Sequence, residues 1–355
     1  MNRILVVLPN WYGETLFATP FLRALRGARD DAFIATLGWP QCRAVLQHNP
    51  HVNQLIDYEE QGRHRGVVGA WRLVRELRQH RFDAAFILRR SLSRTLLVAL
   101  AGVPVRIGFD NAKSGWLLTR RVAPASLPRH KALTYLPLLT AMGAEPVAGT
   151  CEYVVDAQER ETARGLLTQH QLLDGRPFII LHPGANWFHK RWAPERFAAL
   201  GDRLSTEQGA HVAITGGPDD VALAQSIVQR MRAPATVLAG RTTLRAPAAC
   251  LAQAQLVVSN DTGVLHIAAA LRTPIVALFG PTSPALTGPL GDPQRMVVIH
   301  HAACCPRVPC YQPAQPAHPG MDSITVDEAY EAAVALLGHG TRGGRSSEFG
   351  VRSSE

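Results

Sequence analysis

The sequence predicts an α/β protein built from two parallel-sheet domains of the doubly wound kind. Three observations carry this. Short apolar runs alternate with amphipathic segments along the chain, the alternation restarts after residue 150, and 355 residues suit two domains of ordinary size. Apolar strands separated by helices belong in sheets covered on both faces, and ligands then bind where loops leave the carboxyl ends of the strands.

Residues 4–8 form a wholly apolar run of strand length. A helix follows over 19–26, with Pro20 in its first turn, where a missing N–H is harmless. Further strands are expected at 32–37, 82–88 and 105–108, with an amphipathic helix over 67–80 before the second of these. Residues 145–152, which contain Pro146 and Gly149, mark the passage between the halves. The second half restarts with a strand over 178–181. A helix over 194–204 follows, with Pro194 at its start. Next come strand 211–215, helix 219–231, strand 256–259, helix 264–271 and strand 274–279. The expected domains are 1–150 and 151–323. A closing helix covers 324–337, and the glycine- and serine-rich tail 338–355, which repeats Arg-Ser-Ser-Glu, reads as disordered.

A hydrophobic fraction of 46% with 18% charged residues is that of a globular protein. Apolar runs fall well short of the roughly 20 residues that span a bilayer. Met1 leads directly into the first strand, with no signal-peptide pattern, so a cytoplasmic location is expected. Six scattered cysteines (Cys42, Cys151, Cys250, Cys304, Cys305 and Cys310) are no disulfide framework and read as free, mostly buried thiols.

Charge is distributed unevenly. Residues 1–150 hold 20 Lys and Arg against 10 Asp and Glu, whereas residues 151–355 hold 17 against 18. The first half therefore suits an anionic partner, although a solvated basic face reads equally well from charge alone. The arginines between Trp71 and Arg78 interleave with Leu73, Val74 and Leu77, as on an amphipathic helix. A nucleic-acid-binding tail or helix-turn-helix pattern is not seen.

Three segments carry chemistry. After the first strand comes Pro9-Asn10-Trp11-Tyr12-Gly13-Glu14. Its single glycine cannot make the dinucleotide fingerprint, which argues against a nicotinamide enzyme. Glu14 at a strand-to-helix loop can take a proton from a hydroxyl, or can simply favour the helix dipole. In the second half His182-Pro183-Gly184-Ala185-Asn186 leaves a strand end, and Lys190-Arg191-Trp192 follows. Such cations can neutralise a departing diphosphate, though surface Lys-Arg pairs are common. The third segment, Ser259-Asn260-Asp261-Thr262-Gly263, turns a strand into a helix whose free N–H groups can receive phosphate. His266 lies one turn further in, and Phe279-Gly280-Pro281-Thr282-Ser283-Pro284 follows the next strand.

Together these segments resemble glycosyltransferase family 9, the ADP-heptose:lipopolysaccharide heptosyltransferases, over about the first 337 residues. Asn260 to His266 and Gly280 to Pro284 are the most specific part, and the opening motif looks closer to heptosyltransferase II than to I. The resemblance implies a GT-B fold, two Rossmann-like domains with parallel sheets facing a central cleft, the first binding acceptor and the second ADP-heptose. It implies an inverting transfer to an anionic lipopolysaccharide inner core at the cytoplasmic face of the inner membrane. An obligatory metal or other cofactor is not implied. Catalytic roles fall on Glu14, as base, and Lys190, as phosphate neutraliser. Substrate and nucleotide contacts fall on Gly13, Asn186, Arg191, Asp219 on the ribose side, Asp261, Thr262, Gly263 and His266. Glu14 stands where the family usually has aspartate, one methylene shorter. Cys304, Cys305 and Cys310 lack a fourth partner in the following residues to complete a metal site. Two other readings use the same fold: a glycosyltransferase with another nucleotide-sugar donor or a protein or glycan acceptor, and a non-catalytic sugar-nucleotide-binding module.

Overall fold

Ile4, Leu5, Val6 and Val7 are all fully buried, the condition of a strand covered on both faces. They lie in β1 (Arg3–Val7), the first strand in a computed structural model that describes residues 1–126, 129–240, 245–304, 309–310 and 318–340. The chain divides into two units, Met1–Val154 and Val155 onward.

In the first unit β1 is followed by α1 (Tyr12–Leu16), α2 (Thr19–Ala28), β2 (Phe33–Gly38), α3 (Pro40–Leu46), β3 (Gln54–Asp57) and α4 (Gly66–Gln79). Then come β4 (Ala84–Ile87), α5 (Leu92–Leu100), β5 (Val105–Phe109) and β6 (Arg120–Val122). All pairings are parallel, in the order β3-β2-β1-β4-β5-β6. Right-handed crossovers put α4 and α5 on the same face of this sheet. There Leu73, Val74 and Leu77 of α4, with Leu97 and Val98 of α5, cover Leu5, Val7, Leu37 and Ile87. Each such buried aliphatic side chain contributes about 2 kcal/mol.

The second unit opens with α6 (Ala157–Gln169), whose first turn is closed by a reciprocal Asp156–Glu159 capping box. Next are β7 (Phe178–His182), α7 (Pro194–Gln208), β8 (His211–Ile214), α8 (Val221–Arg230), β9 (Ala235–Val237), α9 (Ala246–Leu251) and β10 (Leu256–Asn260). The unit continues with α10 (Gly263–Ala270), β11 (Ile275–Phe279), α11 (Pro284–Thr287), β12 (Met296–His300), α12 (Pro319–Asp322) and α13 (Val326–Gly340). The sheet order β12-β11-β10-β7-β8-β9 is again wholly parallel and repeats the topology of the first. Trp192 anchors one of its faces: its ring packs edge-on against Phe197, and its indole N–H donates to the Ile324 carbonyl at 3.0 Å. Two Rossmann-like units of this kind are the architecture of the GT-B class. In each, strand order reverses beside the first strand, between β1 and β4 and between β7 and β10, and loops diverge there to leave room for a ligand.

The central strands were legible from their apolar runs, but β3, β6, β9 and β12 were not. They are edge strands, mostly half-buried or exposed, with sequences such as Arg120-Arg121-Val122. The helix expected over 219–231 begins as a 3₁₀ turn, Pro218–Asp220, before α8, because Pro218 sets the turn. Helix α13 runs to Gly340, so 338–340 are helical where the sequence suggested tail, and 341–355 lie outside the described residues. Cys42, Cys151, Cys250 and Cys310 are free and buried, while Cys305 and the side chain of Cys304 lie outside the described residues. Among the described residues no helix is long and apolar enough to cross a membrane.

Candidate active site

The loop after β1 is held from several sides. Buried Arg94 on α5 donates to the Leu8 carbonyl at 2.8 Å, Gln41 on α3 donates to the Asn10 carbonyl at 2.8 Å, and the Cys42 thiol lies 3.5 Å from the Pro9 carbonyl. Burial pushes the Cys42 thiol up, so it stays protonated. These contacts fix the start of α1, whose first turn carries Glu14. Glu14 is half-buried and makes no hydrogen bond or ion pair among the described residues. Its charge is felt nearby: the Tyr135 hydroxyl is pushed up by burial first, then by Glu14, against the pull of Arg89. A carboxylate free of internal partners, beside a protonated phenol, can receive a proton. The preceding Gly13 has open space where a side chain would project.

The second unit gathers more of the predicted residues. Its centre is Asp261, just past the end of β10 and only 5% exposed. One carboxylate oxygen, Oδ2, accepts from Lys190 Nζ at 2.6 Å and from Thr282 Oγ1 at 2.7 Å. The other, Oδ1, lies 3.7 Å from His266 Nε2. Burial on its own would raise the pKa of Asp261. The His266 ring, the Lys190 ammonium and the Thr282 hydroxyl outweigh it and hold the group at about 2, so Asp261 is ionised throughout the neutral range.

Asn260 ties the surrounding loops together. Its Oδ1 accepts from the Trp192 N–H at 3.2 Å and its Nδ2 donates to the Pro183 carbonyl at 2.8 Å, which joins the end of β10 to the loop after β7. That loop carries exposed Asn186 and then Lys190, whose ammonium is thereby delivered to Asp261. Thr262 is the N-cap of α10 but makes no capping bond, and its Oγ1 is buried without a partner among the described residues. The N-terminal N–H groups of α10, starting at Gly263, remain able to receive an anion.

Arg191 donates to the Ala185 carbonyl at 2.9 Å and lies 3.5 Å from Asp220. Asp219 is exposed on its 3₁₀ turn, whereas Asp220 points inward beneath two glycines. A Cβ at Gly184 would stand 2.5 Å from Asp220 Oδ2, and one at Gly216 would stand 2.5 Å from Asp220 Cβ. Both positions exclude a side chain so that this carboxylate can sit under Arg191. At the end of β7, buried His182 shares a 3.1 Å hydrogen bond with Thr215, and burial lowers it to about 4, so it is neutral.

Lys190, Asp261, Thr262, Gly263 and His266 thus form one cluster, with Arg191 and Asn186 on its loop. Glu14 and Gly13 belong to the other unit. Sequence reasoning missed Thr282, Asn260 and Asp220 as members. The first two sit inside motifs that stood out in the sequence, but only the fold shows which way they face.

The family model of glycosyltransferase family 9 (heptosyltransferase) matches residues 70–318. The chain belongs to this family. It is 29% identical over 353 residues to lipopolysaccharide heptosyltransferase 2 of Escherichia coli K12, covering 94% of this chain and 98% of that one. It is 31% identical over 301 residues to lipooligosaccharide heptosyltransferase 2 of Haemophilus influenzae, covering 81% and 86%. Among solved structures, the Escherichia coli ADP-heptose lipopolysaccharide heptosyltransferase II superposes with a TM-score of 0.79 at 27% identity, over 96% of this chain and 100% of that one. As a family 9 member the chain is a glycosyltransferase, and its resemblance lies with the heptosyltransferase 2 group.

Proposed function

We propose that this enzyme transfers heptose from ADP-L-glycero-D-manno-heptose to the heptosyl-bearing inner core of lipopolysaccharide, with inversion at the anomeric carbon. The observation that carries the donor side is the Lys190–Asp261–Thr282 cluster at the mouth of α10. The heptosyltransferase 2 relatives support the sugar and the acceptor.

The second unit holds the donor. Asp261 keeps the Lys190 ammonium at a fixed place, and α10 offers unpaired N–H groups beside it. Negative charge that builds on the leaving β-phosphate is met by Lys190, by Arg191 and by the N–H groups near Thr262 and Gly263. Thr262 Oγ1 and His266 complete that wall, Asn186 borders it, and exposed Asp219 serves the ribose while Asp220 braces Arg191.

The first unit holds the acceptor. Glu14 takes the proton of the attacking hydroxyl as the new glycosidic bond forms and the bond to ADP breaks, a general-base role of roughly 10²–10⁴-fold in rate. Gly13 leaves space for the acceptor sugar. The reaction balances without a metal or redox cofactor: the hydroxyl proton passes to Glu14, and ADP leaves with the bonding pair. The acceptor is anionic and lipid-linked, so we place the enzyme as a peripheral protein on the cytoplasmic face of the inner membrane.

The test is direct. The enzyme is incubated with ADP-heptose and with inner-core acceptor that carries or lacks the first heptose, and ADP release is followed. Release that requires the heptosylated acceptor supports the reading. Release with the heptose-free acceptor alone, or with neither, overturns it.

A further inference from the structure

Helix α4 exposes the wrong residues for a helix that meets only water. Val67 and Val68 are 76% and 77% exposed, and Trp71 is 47% exposed. At 100° per residue Val67, Trp71, Arg75 and Arg78 fall on one arc, with Val68 and Arg72 at its edge. Leu73 and Leu77 face the core on the other side. The neighbouring α5 exposes Leu92, Leu96 and Leu100, a second apolar stripe at a spacing of four. The two stripes adjoin, because the Arg78 guanidinium donates to the Leu100 carbonyl at 2.8 and 3.1 Å.

The charge on this face is of one sign. Arg65, Arg72, Arg75 and Arg78 make no ion pair among the described residues. The one acid of α4, Glu76, is turned toward Arg63 and His64. Helices that follow parallel strands start at the carboxyl edge of the sheet, so Val67, Val68 and Leu92 lie at the edge from which Glu14 and Arg89 project.

We propose that the α4–α5 face docks on an anionic phospholipid bilayer, with Val67, Val68, Trp71 and the α5 leucines in the headgroup boundary and the arginines on lipid phosphates. Apolar side chains ringed by unpaired cations are the two components that interfacial binding needs. The proposal rests on the lipid-linked acceptor of the proposed function, since a bilayer along this face also borders the carboxyl edge of the first sheet, where α4 and α5 begin.

The experiment uses the full chain with vesicles of phosphatidylcholine alone or containing 30% phosphatidylglycerol, read by co-sedimentation. Wild type is expected to bind the anionic vesicles, and less so as salt rises. The triple variant Val67→Ser, Val68→Ser, Trp71→Ser should lose about tenfold or more in partition, and Arg72→Glu with Arg75→Glu should lose binding and its salt dependence. Both variants should melt as wild type does and keep its kcat/KM on a deacylated, water-soluble acceptor. Equal binding by variants and wild type, equal binding to neutral and anionic vesicles, or no binding overturns the proposal. So does self-association of wild type, seen by sedimentation velocity and lost in the variants, without vesicle binding. Face-dependent vesicle binding in a chain that transfers no heptose to the soluble acceptor supports the docking face and sinks only the function it serves.

Discussion

Lys190 Nζ stands 2.6 Å from Asp261 Oδ2, on loops that leave the adjacent strands β7 and β10. The pair is mostly shielded, so the lysine is held by its acid rather than waving in solvent, and the acid is held ionised by the lysine and its neighbours. In the proposed mechanism Asp261 is therefore a positioning residue, and Lys190 the group that meets phosphate.

Lys190→Ala should weaken ADP binding and lower kcat together. Asp261→Asn leaves the ammonium in place without its charged partner, and should cost about 1.5–3 kcal/mol of stability as well as donor affinity. Isothermal titration with ADP and urea unfolding separate the two. If Asp261→Asn retained wild-type stability and ADP affinity, the pair would have no positioning role.

Glu14→Gln should reduce kcat by roughly 10²–10⁴-fold and leave ADP affinity unchanged. Glu14→Asp, which restores the carboxylate usual in the family, should keep most of the activity. Single-turnover rates against ADP titration make the comparison, and unchanged turnover in the glutamine variant would remove Glu14 from the mechanism.

Stability should fall in two stages on acidification. His182 is buried neutral, with its pKa lowered to about 4. The unfolded chain therefore takes up this proton first, and stability present above about pH 6.5 is lost as pH falls toward 4, by about 3 kcal/mol in all. Asp261 is depressed to about 2, so its contribution is complete above the ordinary carboxylate range and is lost between about pH 4 and 2. Urea midpoints of wild type and His182→Asn from pH 8 to 4 test the first stage, which should be smaller in the variant; what remains there belongs to the other histidines that burial holds low, His64, His80, His300 and His318.

Gly184→Ala should push the Asp220 carboxylate away from Arg191, because the new methyl would lie 2.5 Å from its oxygen. The expected cost is about 1–3 kcal/mol with weaker donor binding. Gly13→Ala meets nothing within the protein, so it should melt as wild type does while its acceptor KM rises. Paired melting curves and kinetics decide both, and an unchanged acceptor KM in Gly13→Ala would take that position out of the acceptor site.

Much of the fold could be read in the sequence because central parallel strands are buried on both faces and show as unbroken apolar runs, as in Ile4 to Val7. Edge strands such as β6 carry Arg120 and Arg121 to solvent and leave no such trace. At the site, Asp261, Lys190 and His266 stood out by their place in the loops and helix that follow strand ends and in the motifs that resemble the family. Thr282 and Asn260 were visible only as parts of motifs, since a hydroxyl or amide gains its role from what it faces. Asp219 and Asp220 are adjacent and chemically alike, and only the 3₁₀ turn at Pro218 determines which one points inward.

The repeated strand order has a consequence for the division of labour. In the first unit the acid, Glu14, follows the first strand, and the cations Arg89 and Arg90 follow the fourth. In the second unit Lys190 and Arg191 follow the first strand, and Asp261 follows the fourth. In the proposed mechanism, one scaffold used twice with its polarity reversed yields a half suited to drawing off a proton and a half suited to absorbing departing negative charge.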